Sequence, residues 1–576
     1  MAYSDSFPAT RPVFQADFAN GGRVDPRISY SRSTTGTYFG TDKHLSSENL
    51  FTHSASSYLW ATYNGASKAD GAANGPDGST NTAYSITFNN TSQYVNTGSV
   101  GLDTSASYTF SFYAKVASGT QTIIIGNIAT GVFSNVTVTT DWQRFTVTQT
   151  PTATTRYPYI GPDGATGLGT LLIWGAQLEK RGSATALNET SGQIHREYAP
   201  TLQTAAINAP RFEFSASDSA SMGLLIEGQV TNLQRYGSDF SSWSNKTFLG
   251  VESNQSIAPN GNLEADLLIA DASYNPHYIY DNTVSVTAGT AHTFSMYLKD
   301  AGQRYVQICG LSSLQTSGAV NFDLQTGTAS ASGAHTGTIT AVGNGWYRAT
   351  VTTTSLFTAT TGFLILAVDS ISSGRGANST GDGYKGFLAW GAQQEASSFA
   401  SSLVDTGTGS NALTRAADSA SIAVSDITGF SEGVGTIVCE TGGVASATAT
   451  NQIAFGLNGP ASNNQFSAGV NDGGAIPPST VRVYSQTPAG DQAFLNAGTA
   501  TVGTGYKLAC RYELDNIAAS MNGGTVVSDT SGQVPVGIDT LWIGQLDGNY
   551  HINSNIKRIA IYSDALSDSN LISLTK

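Results

Sequence analysis

The sequence Leu-Leu-Ile-Trp-Gly-Ala-Gln-Leu-Glu at residues 171–179 recurs as Phe-Leu-Ala-Trp-Gly-Ala-Gln-Gln-Glu at residues 387–395. Each copy ends a longer series of matching landmarks. The copies are 183 residues apart at the Asn49/Asn232 pair and 216 residues apart at the Trp174/Trp390 pair, and the landmarks keep their order. Two copies of one domain with lengthened loops produce this pattern. A repeat this long predicts a self-sufficient domain rather than a solenoid unit.

One stretch inside the repeat indicates how each copy folds. Residues 108–115 read Tyr-Thr-Phe-Ser-Phe-Tyr-Ala-Lys, and residues 292–299 read His-Thr-Phe-Ser-Met-Tyr-Leu-Lys. Their period-two alternation predicts a half-buried β-strand. A slip of one residue would exchange the two faces, and both copies keep the same phase. Many such runs, separated by Gly, Asn, Ser and Asp clusters, predict an antiparallel β-sandwich.

The landmarks divide the chain into five parts, and the predicted fold class is all-β. The parts are an N-terminal arm at 1–45, a first sandwich at 46–188, a connecting segment with two short strands at 189–229, a second sandwich at 230–405, and a last domain at 410–576. The arm is too short to bury a core alone, so we expect it to be ordered only through contacts with another chain. The last domain ends in a predicted helix with Ser567 as N-cap and Leu566 and Leu571 as a hydrophobic staple.

Composition excludes several classes of partner. The 576 residues carry a net charge of −14, and only 12% of them are charged, while 40% are hydrophobic. An acidic chain does not favour binding to nucleic acid or to an anionic membrane surface. The N-terminus has no basic n-region followed by an apolar h-region, so we predict no signal peptide. The sequence also has no apolar run of ~18 residues that would predict a membrane span.

The cysteine usage predicts buried thiols. There are three cysteines, Cys309, Cys439 and Cys510, which is not a disulfide framework. Cys439 and Cys510 share the last domain and could meet there. The favoured interpretation is that all three are small buried hydrophobes on strands.

The repeat resembles the jelly-roll modules of the carbohydrate-binding type found in glycan-degrading enzymes and in phage virion proteins. The resemblance is carried by the Asn-Leu…Trp start, the Phe-Ser-Phe-Tyr-Ala-Lys strand, the Trp-Gln-Arg strand at 142–144 and the closing Trp-Gly-Ala-Gln-Leu-Glu. The last domain resembles concanavalin A-like, laminin G-type sandwiches in residues 519–524, 541–544 and 556–562. These resemblances imply two tandem jelly-roll β-sandwiches and a C-terminal lectin-like sandwich.

The flanking segments resemble parts of tailed-phage structural proteins. The matching runs are residues 27–38, 209–214, 223–233 and 413–418. The resemblance implies a virion protein assembled in the host cytoplasm, such as a tail fibre, neck or head decoration protein, whose arm docks on other virion proteins. It would bind host surface glycan, and we expect a homo-oligomer because weak sugar sites gain from several copies. Two alternatives stay open: a polysaccharide depolymerase and a bacterial surface adhesin outside phage.

Outward-facing aromatic side chains are the candidate carbohydrate-binding residues, because a flat ring suits the apolar face of a sugar. Tyr113 and Tyr297 occupy outward positions of the two matching strands. Trp542 lies between Leu541 and Ile543, which alternation turns inward. The alternative for both tyrosines is that another sheet or subunit covers the outward face. Core packing is favoured for the tryptophans repeated within the fold signature, namely Trp142, Trp174, Trp346 and Trp390.

The sequence favours a protein that is not an enzyme. It has seven His residues, no His-Glu-x-x-His and no Walker loop. Pairs of carboxylates could serve glycoside hydrolysis, but 41 acidic residues supply such pairs by chance. The resemblance to jelly rolls and laminin G domains implies that a structural Ca²⁺ is compatible with the fold. The Asp-Gly pairs at Asp163, Asp382 and Asp547 are also ordinary turn chemistry, so no metal ligand is assigned and no other cofactor is expected.

Overall fold

The computed structural model describes residues 11–182, 184–185, 187–446, 451–461, 463–470 and 479–576, with only the backbone at Ser46 and Ser47. These residues form an all-β protein of antiparallel sandwiches, as predicted. They divide into two compact units. The smaller unit comprises residues 43–199 and 253–267, and the larger comprises the described residues up to 42 together with 200–252 and 268–576. Within the described ranges, no helix has the length and apolar character needed to cross a membrane.

The N-terminal segment contains short elements. They are β1 (Phe14–Asp17), α1 (Phe18–Gly21), β2 (Ser29–Ser31) and β3 (Gly36–Asn49). Asp17 caps α1 by accepting a hydrogen bond from the Asn20 amide. Gly22 ends the helix in the left-handed conformation, which glycine adopts without a steric penalty.

The first repeat folds as a sandwich of two five-stranded sheets. Its strands are β4 (Trp60–Tyr63), β5 (Ser67–Ala73), β6 (Ala83–Phe88), β7 (Tyr94–Thr97), β8 (Val100–Gly101), β9 (Tyr108–Val116), β10 (Gln121–Gly126), β11 (Phe133–Val138), β12 (Gln143–Gln149), β13 (Thr155–Arg156), β14 (Tyr159–Pro162) and β15 (Gly169–Glu179). The strand orders are β4-β7-β14-β10-β11 and β5-β6-β15-β9-β12. Phe110 and Phe112 lie in the core between the sheets, which confirms the predicted phase of β9.

The connecting segment contains β16 (His195–Ala205), β17 (Phe212–Phe214), β18 (Ser221–Ile226) and β19 (Val230–Asn232). The two short strands predicted there correspond to β17 and β18. Both belong to a sheet of the last domain, as described below.

The second repeat has the same strand order as the first. Its strands are β20 (Asn245–Thr247), β21 (Leu249–Ile257), β22 (Leu263–Ala270), β23 (Tyr274–Asn275), β24 (His277–Tyr280), β25 (Val284–Val286), β26 (Ala291–Ala301), β27 (Tyr305–Gly310), β28 (Val320–Asp323), β29 (Thr328–Ala331), β30 (His335–Gly343), β31 (Trp346–Thr354), β32 (Ala359–Thr361), β33 (Phe363–Val368), β34 (Ser379–Thr380) and β35 (Gly386–Glu395). The sheet orders are β20-β24-β33-β27-β28-β29 and β21-β22-β35-β26-β31-β30. Each sheet therefore repeats the first sandwich strand for strand, with β29 or β30 added at one edge. The predicted duplication requires this shared strand order.

The repeated Trp-Gly-Ala-Gln sequence is a β-bulge. The ladder between β9 and β15 shifts register between Trp174 and Gln177, and the ladder between β26 and β35 shifts at the equivalent point. Gly175 has a φ of 64° and Gly391 a φ of 63°. A side chain at this backbone angle is strained, which explains why glycine stands at both positions.

Asn49 and Asn232, the first residues of the Asn-Leu landmark, each connect backbone segments around one of the two bulges. Each buried side-chain amide makes four hydrogen bonds to backbone groups. Asn49 donates to the Ala176 and Asn188 carbonyls at 3.1 and 2.8 Å and accepts from the Phe51 and Leu178 amides at 3.0 and 3.3 Å. Asn232 donates to the Ala392 and Val404 carbonyls at 3.1 and 2.8 Å and accepts from the Gln234 and Gln394 amides at 2.9 and 3.0 Å. The two distant landmarks thus belong to one local motif.

The last domain is a sandwich completed by strands from elsewhere in the chain. Its own elements are β36 (Leu413–Arg415), β37 (Ser419–Ala423), β38 (Val434–Thr441), β39 (Gln452–Asn458), β40 (Gln465–Val470), β41 (Thr480–Thr487), β42 (Gly490–Thr499), β43 (Lys507–Glu513), β44 (Ile517–Met521), β45 (Val527–Asp529), β46 (Thr540–Ile543), β47 (Ser554–Tyr562) and α2 (Asp568–Thr575). One sheet runs β17-β18-β47-β38-β43-β44-β45, with β1 also paired to β47. The other runs β2-β37-β46-β39-β40-β41-β42.

The expectation that the N-terminal arm is ordered only through another chain is therefore wrong for its described part. Phe14, Phe18 and Ile28 are buried in the core of the last sandwich. The arm is too short to make a core of its own, but its apolar side chains add to one that already exists. Residues 1–10 lie outside the described residues.

A buried ionic cluster joins the N-terminal segment, the connecting segment and the last sandwich. Asp418 accepts from Arg32 at 3.0 Å and also from Arg211, while Glu227 pairs with Arg211 at 2.7 Å and with Arg415 at 3.4 Å. Burial alone would raise the pKa of Glu227, but Arg415 and Arg211 hold that pKa well below its ordinary value. The ionised cluster fixes the places where these segments meet, because an unpaired member would be a buried charge.

The smaller predictions for the last sandwich are confirmed. Ser567 caps α2 by accepting from the Asn570 amide, and Leu566 and Leu571 are buried together in one cluster. Cys309, Cys439 and Cys510 are free and buried. Burial raises the pKa of the Cys309 thiol to about 11, so this cysteine stays protonated near neutral pH.

Candidate functional site

The predicted stacking residue Tyr297 is not on an open surface. It is only 1% exposed, and its ring lies 5.4 Å from that of Trp390 and under the Arg348 guanidinium. The expectation that Tyr297 faces outward to solvent is wrong, because the outward face of β26 is covered at this position. The covered-face alternative is the correct one for Tyr297.

The equivalent Tyr113 of the first sandwich is half-buried. Its ring meets that of Trp174 edge to face at 5.5 Å, and Arg144 lies over it. Arg144 is itself held by the Thr185 carbonyl at 2.6 Å and Ser111 Oγ at 3.0 Å. Tyr113 therefore contributes to the packing around the bulge, and sugar binding by Tyr113 remains a prediction.

Trp542 has the predicted direction. Leu541 and Ile543 are fully buried, whereas Trp542 is partly exposed, and its Nε1 donates to Asn458 Oδ1 at 2.8 Å. Its role in binding also remains a prediction. Trp174, Trp346 and Trp390 are buried, as expected for core residues, but Trp142 is only half-buried and lies 5.1 Å from Lys115 Nζ.

An aromatic row that the sequence analysis missed crosses the outer face of the first sandwich. Tyr63, Tyr94, Tyr159 and Phe133 lie on four different strands of the sheet β4-β7-β14-β10-β11. Successive ring centroids are 4.5, 5.0 and 5.1 Å apart. Their spacing in the chain is irregular, so only the strand pairing brings them together. We call these four residues the aromatic row.

Strand alternation and one glycine place the row on the surface. Val95 and Ile160 point into the core, so the preceding residues Tyr94 and Tyr159 point outward. A Cβ added to Gly161 would lie 2.5 Å from the Tyr159 hydroxyl. The absence of a side chain at Gly161 therefore lets the Tyr159 ring lie across the sheet.

The row presents free ring surface at its two ends. Tyr63 and Tyr94 are stacked with 7° between their planes, which occupies one face of each ring. Tyr63 on edge strand β4 and Phe133 on edge strand β11 are each 39% exposed. Burial and the neighbouring Tyr94 raise the pKa of Tyr159, so its hydroxyl stays protonated and can donate a hydrogen bond.

Polar side chains accompany the row. Asn96 is paired directly opposite Tyr159, and Asn135 on β11 donates to Asp163 Oδ2 at 2.8 Å. Amides and a carboxylate next to exposed rings are groups that can bind the hydroxyls of a sugar while the rings cover its apolar faces.

The second sandwich keeps only part of such a row, since its equivalent face carries the half-buried pair Tyr278 and Tyr280, with ring centroids 6.0 Å apart. The register places Tyr278 where the first has Tyr94, Leu364 in place of Tyr159, and Gln307 in place of Ile124. Residues 369–376 cover the part of this face formed by β27 and β28. The Gly374 carbonyl accepts from Gln307 at 2.9 Å, and the Ser373 carbonyl accepts from Asn321 at 2.8 Å.

One cluster has the composition of a serine-hydrolase triad but cannot act as one. His277 lies 3.0 Å from Ser379 Oγ through Nδ1 and 3.0 Å from Asp271 Oδ1 through Nε2. Ser379 is only 2% exposed, and its hydroxyl is also 2.9 Å from the Ala367 carbonyl. A nucleophile must reach its substrate, so these residues tie β24 to β34 rather than form a catalytic site.

The described residues contain no group of three or more His, Cys, Asp or Glu side chains that could hold a metal ion. The Asp382 carboxylate accepts from the Tyr384 and Lys385 amides at 3.0 and 2.7 Å, which is turn chemistry. A cavity of about 410 Å³ in the larger unit is lined by residues that include Glu395 and Asn553. The Glu395 carboxylate already accepts from Ser401 Oγ at 2.7 Å, which marks it as a structural group.

Comparison with known proteins yields distant structural likenesses. No protein-family model and no curated protein matches the chain. Among solved structures, the CBM40 of the Ruminococcus gnavus IT-sialidase bound to α2,3-sialyllactose has a TM-score of 0.22 at 18% identity, covering 25% of this chain and 84% of its own. The CBM22-1-CBM22-2 tandem of Paenibacillus barcinonensis Xyn10C gives 0.19 at 13%, covering 62% and 100%. Domains LG4-5 of the mouse laminin α1 chain give 0.16 at 12%, covering 52% and 93%.

Proposed function

We propose that this protein is a non-catalytic glycan-binding protein whose binding face is the aromatic row of the first sandwich. The observation that carries the proposal is the interlocked row of Tyr63, Tyr94, Tyr159 and Phe133 on a solvent-facing sheet. Rings that already pack against one another lose little side-chain freedom when a ligand binds. Four strand spacings separate β4 from β11, about 19 Å, which suits an oligosaccharide better than a single sugar.

The test is binding of host-envelope polysaccharide to the full chain, measured by affinity electrophoresis and calorimetry. The double variant Tyr63→Ala/Tyr159→Ala should weaken binding at least tenfold and leave folding intact, because both rings lie outside the core. Tyr58→Ala is the matched control, since Tyr58 is 75% exposed in the same unit and is not part of the row. If the double variant and the control bind equally well, the aromatic row is not the binding face.

We further propose that the protein is carried on a tailed-phage particle as a fibre, neck or head decoration protein, in several copies. The support is the resemblance of residues 27–38, 209–214, 223–233 and 413–418 to phage structural proteins. Because Phe14, Phe18 and Ile28 pack within their own chain, docking on other virion proteins would use a different surface from the one first expected. Negative-stain images of particles labelled with an antibody to the last domain test this, and unlabelled particles would contradict it. Release of sugar from host envelope by the purified protein would instead favour a depolymerase.

A further inference from the structure

The outer face of the seven-stranded sheet in the last sandwich carries a buried cation. Val481 and Val483 point into the core, so Arg482 and Tyr484 on β41 point outward. Arg482 is nevertheless only 8% exposed, and its Nε has no hydrogen-bond partner. Among the residues that the structure describes, no carboxylate lies within 4 Å of this guanidinium, in contrast to Arg211 and Arg415 of the ionic cluster.

Arg482 contacts an aromatic ring. Its Cζ lies 5.5 Å from the centroid of Phe494, which is 49% exposed and packs on Tyr484 at 4.7 Å. A cation over a ring face gains modest energy, but this does not replace the hydration lost on burial. Burial lowers the pKa of Arg482, and no charge among the described residues is found to raise it. A buried polar group without a partner calls for an explanation, and an absent counter-ion is one.

A second unsatisfied group lies on the same face. Gln465 Oε1 is buried without a partner, while Gln465 Nε2 donates to Gln486 Oε1 at 3.1 Å. Gln486 follows Tyr484 on the outward side of β41 and donates to Asp491 at 3.0 Å. Arg482, Tyr484 and Gln486 therefore form an outward line about 13 Å long on one strand, with a cation at one end and a ring in the middle. At the other end the amides lie beside the Asp491 carboxylate, which accepts from both Tyr484 and Gln486.

We propose that this line is a binding site for an acidic sugar, with the sugar carboxylate paired to Arg482, a ring face covered by Tyr484 and Phe494, and hydroxyls bonded to Gln465 and Gln486. A carboxylate would supply the missing partner of Arg482, and charge-assisted hydrogen bonds to arginine are among the stronger polar contacts. The chain has a net charge of −14, so attraction from the whole molecule does not favour an anion. Recognition must come from this local arrangement. The site lies in a different sandwich from the aromatic row and does not depend on it.

The test compares two forms of one ligand. The full chain is titrated by calorimetry with oligogalacturonate and with its methyl ester, which has the same sugar backbone without the charge. The acid form should bind at least tenfold more tightly than the ester, because a hydrogen bond to a charged group contributes more than a neutral one. Arg482→Gln should remove this preference. Arg23→Gln, which removes an exposed arginine from the same unit, should keep it.

Measuring stability distinguishes a ligand-binding role of Arg482 from a structural role. Arg482→Gln breaks no ion pair with a described residue, so its unfolding midpoint without ligand should equal or exceed that of the wild type. The Tyr63→Ala/Tyr159→Ala variant should retain the preference for the acid form, which distinguishes failure here from failure of the aromatic row. Failure of the acid form to bind, equal binding of acid and ester, or a lower midpoint in Arg482→Gln would each overturn the proposal.

Discussion

The two sandwiches share a strand order, a bulge and the asparagine beside it, yet their outer faces differ. In the first sandwich the turn after β14 is short, and the aromatic row lies open. In the second sandwich 17 residues separate β33 from β35, and part of that segment covers the β27–β28 region of the equivalent face. Duplication thus preserved the core, while insertions changed what each copy presents. A binding face can be lost from one copy without any change in its strand order.

The largest effect on the structure that the two sandwiches share is expected from removing the asparagine side chain beside each bulge. Asn49→Ala and Asn232→Ala each delete four hydrogen bonds to buried backbone groups, so each should destabilise its own sandwich by about 3–5 kcal/mol. Differential scanning calorimetry of the full chain should show one altered transition in each variant. Asn89→Ala, at an exposed position, is the control. A large effect from one asparagine and not the other would mean that the two bulges are not equivalent.

Lowering the pH should destabilise the larger unit, because Glu227 becomes protonated. The pKa of this carboxyl is depressed in the folded state, so its contribution to stability is present above the pKa of the unfolded chain and is lost as pH falls towards the folded value. Between pH 5 and pH 2 we expect a loss on the order of 2 kcal/mol in the wild type. The burial-raised pKa values of Glu213 and Glu395 act in the opposite direction.

Urea unfolding as a function of pH measures this effect. Glu227→Gln should be less stable than the wild type at pH 7, and the difference between the two proteins should shrink as pH falls. A difference that does not change with pH would show that Glu227 is not ionised in the cluster.

The segment that covers the second sandwich should loosen when Arg375 is truncated. Its guanidinium donates to the Gly318 and Gln315 carbonyls at 2.9 and 3.0 Å and also to Gly310. Arg375→Ala should cost about 1–3 kcal/mol and increase proteolytic cleavage within residues 369–376. Mass spectrometry of the fragments locates the cut. Unchanged cleavage would show that other contacts hold this segment in place.

The smallest effect on stability is expected from Trp542. Trp542→Ala removes a partly exposed ring and one hydrogen bond to Asn458, so it should cost about 1–2 kcal/mol and leave the sandwich folded. Attachment to host cells should fall if the ring also contacts glycan. Circular dichroism and a cell-binding assay measure the two effects. An unfolded last sandwich would identify Trp542 as a core residue instead.

The sequence predicted what depends on local pattern. Alternation in residues 108–115 and 292–299 gave the correct inward faces, and Ser567 gave the correct helix start. The prediction from sequence failed for Tyr297, because the residues that cover this outward position are far away in the chain. It also missed the aromatic row, whose four members are 31, 39 and 26 residues apart in chain order and become neighbours only through strand pairing. The arm was misjudged for the same reason, since its pairing strand begins at Ser554.

The pairing of Phe14–Asp17 with the final long strand has a consequence for biosynthesis. The N-terminal strand leaves the ribosome more than 500 residues before its partner. At ~5–20 residues per second, the partner arrives roughly half a minute to two minutes later. Both repeats can finish folding in that interval, whereas the last sandwich closes only after β47 has been synthesised. A nascent chain that stalls before β47 is made would carry two folded repeats and an unpaired, hydrophobic N-terminal segment. That is the form that a chaperone would have to protect.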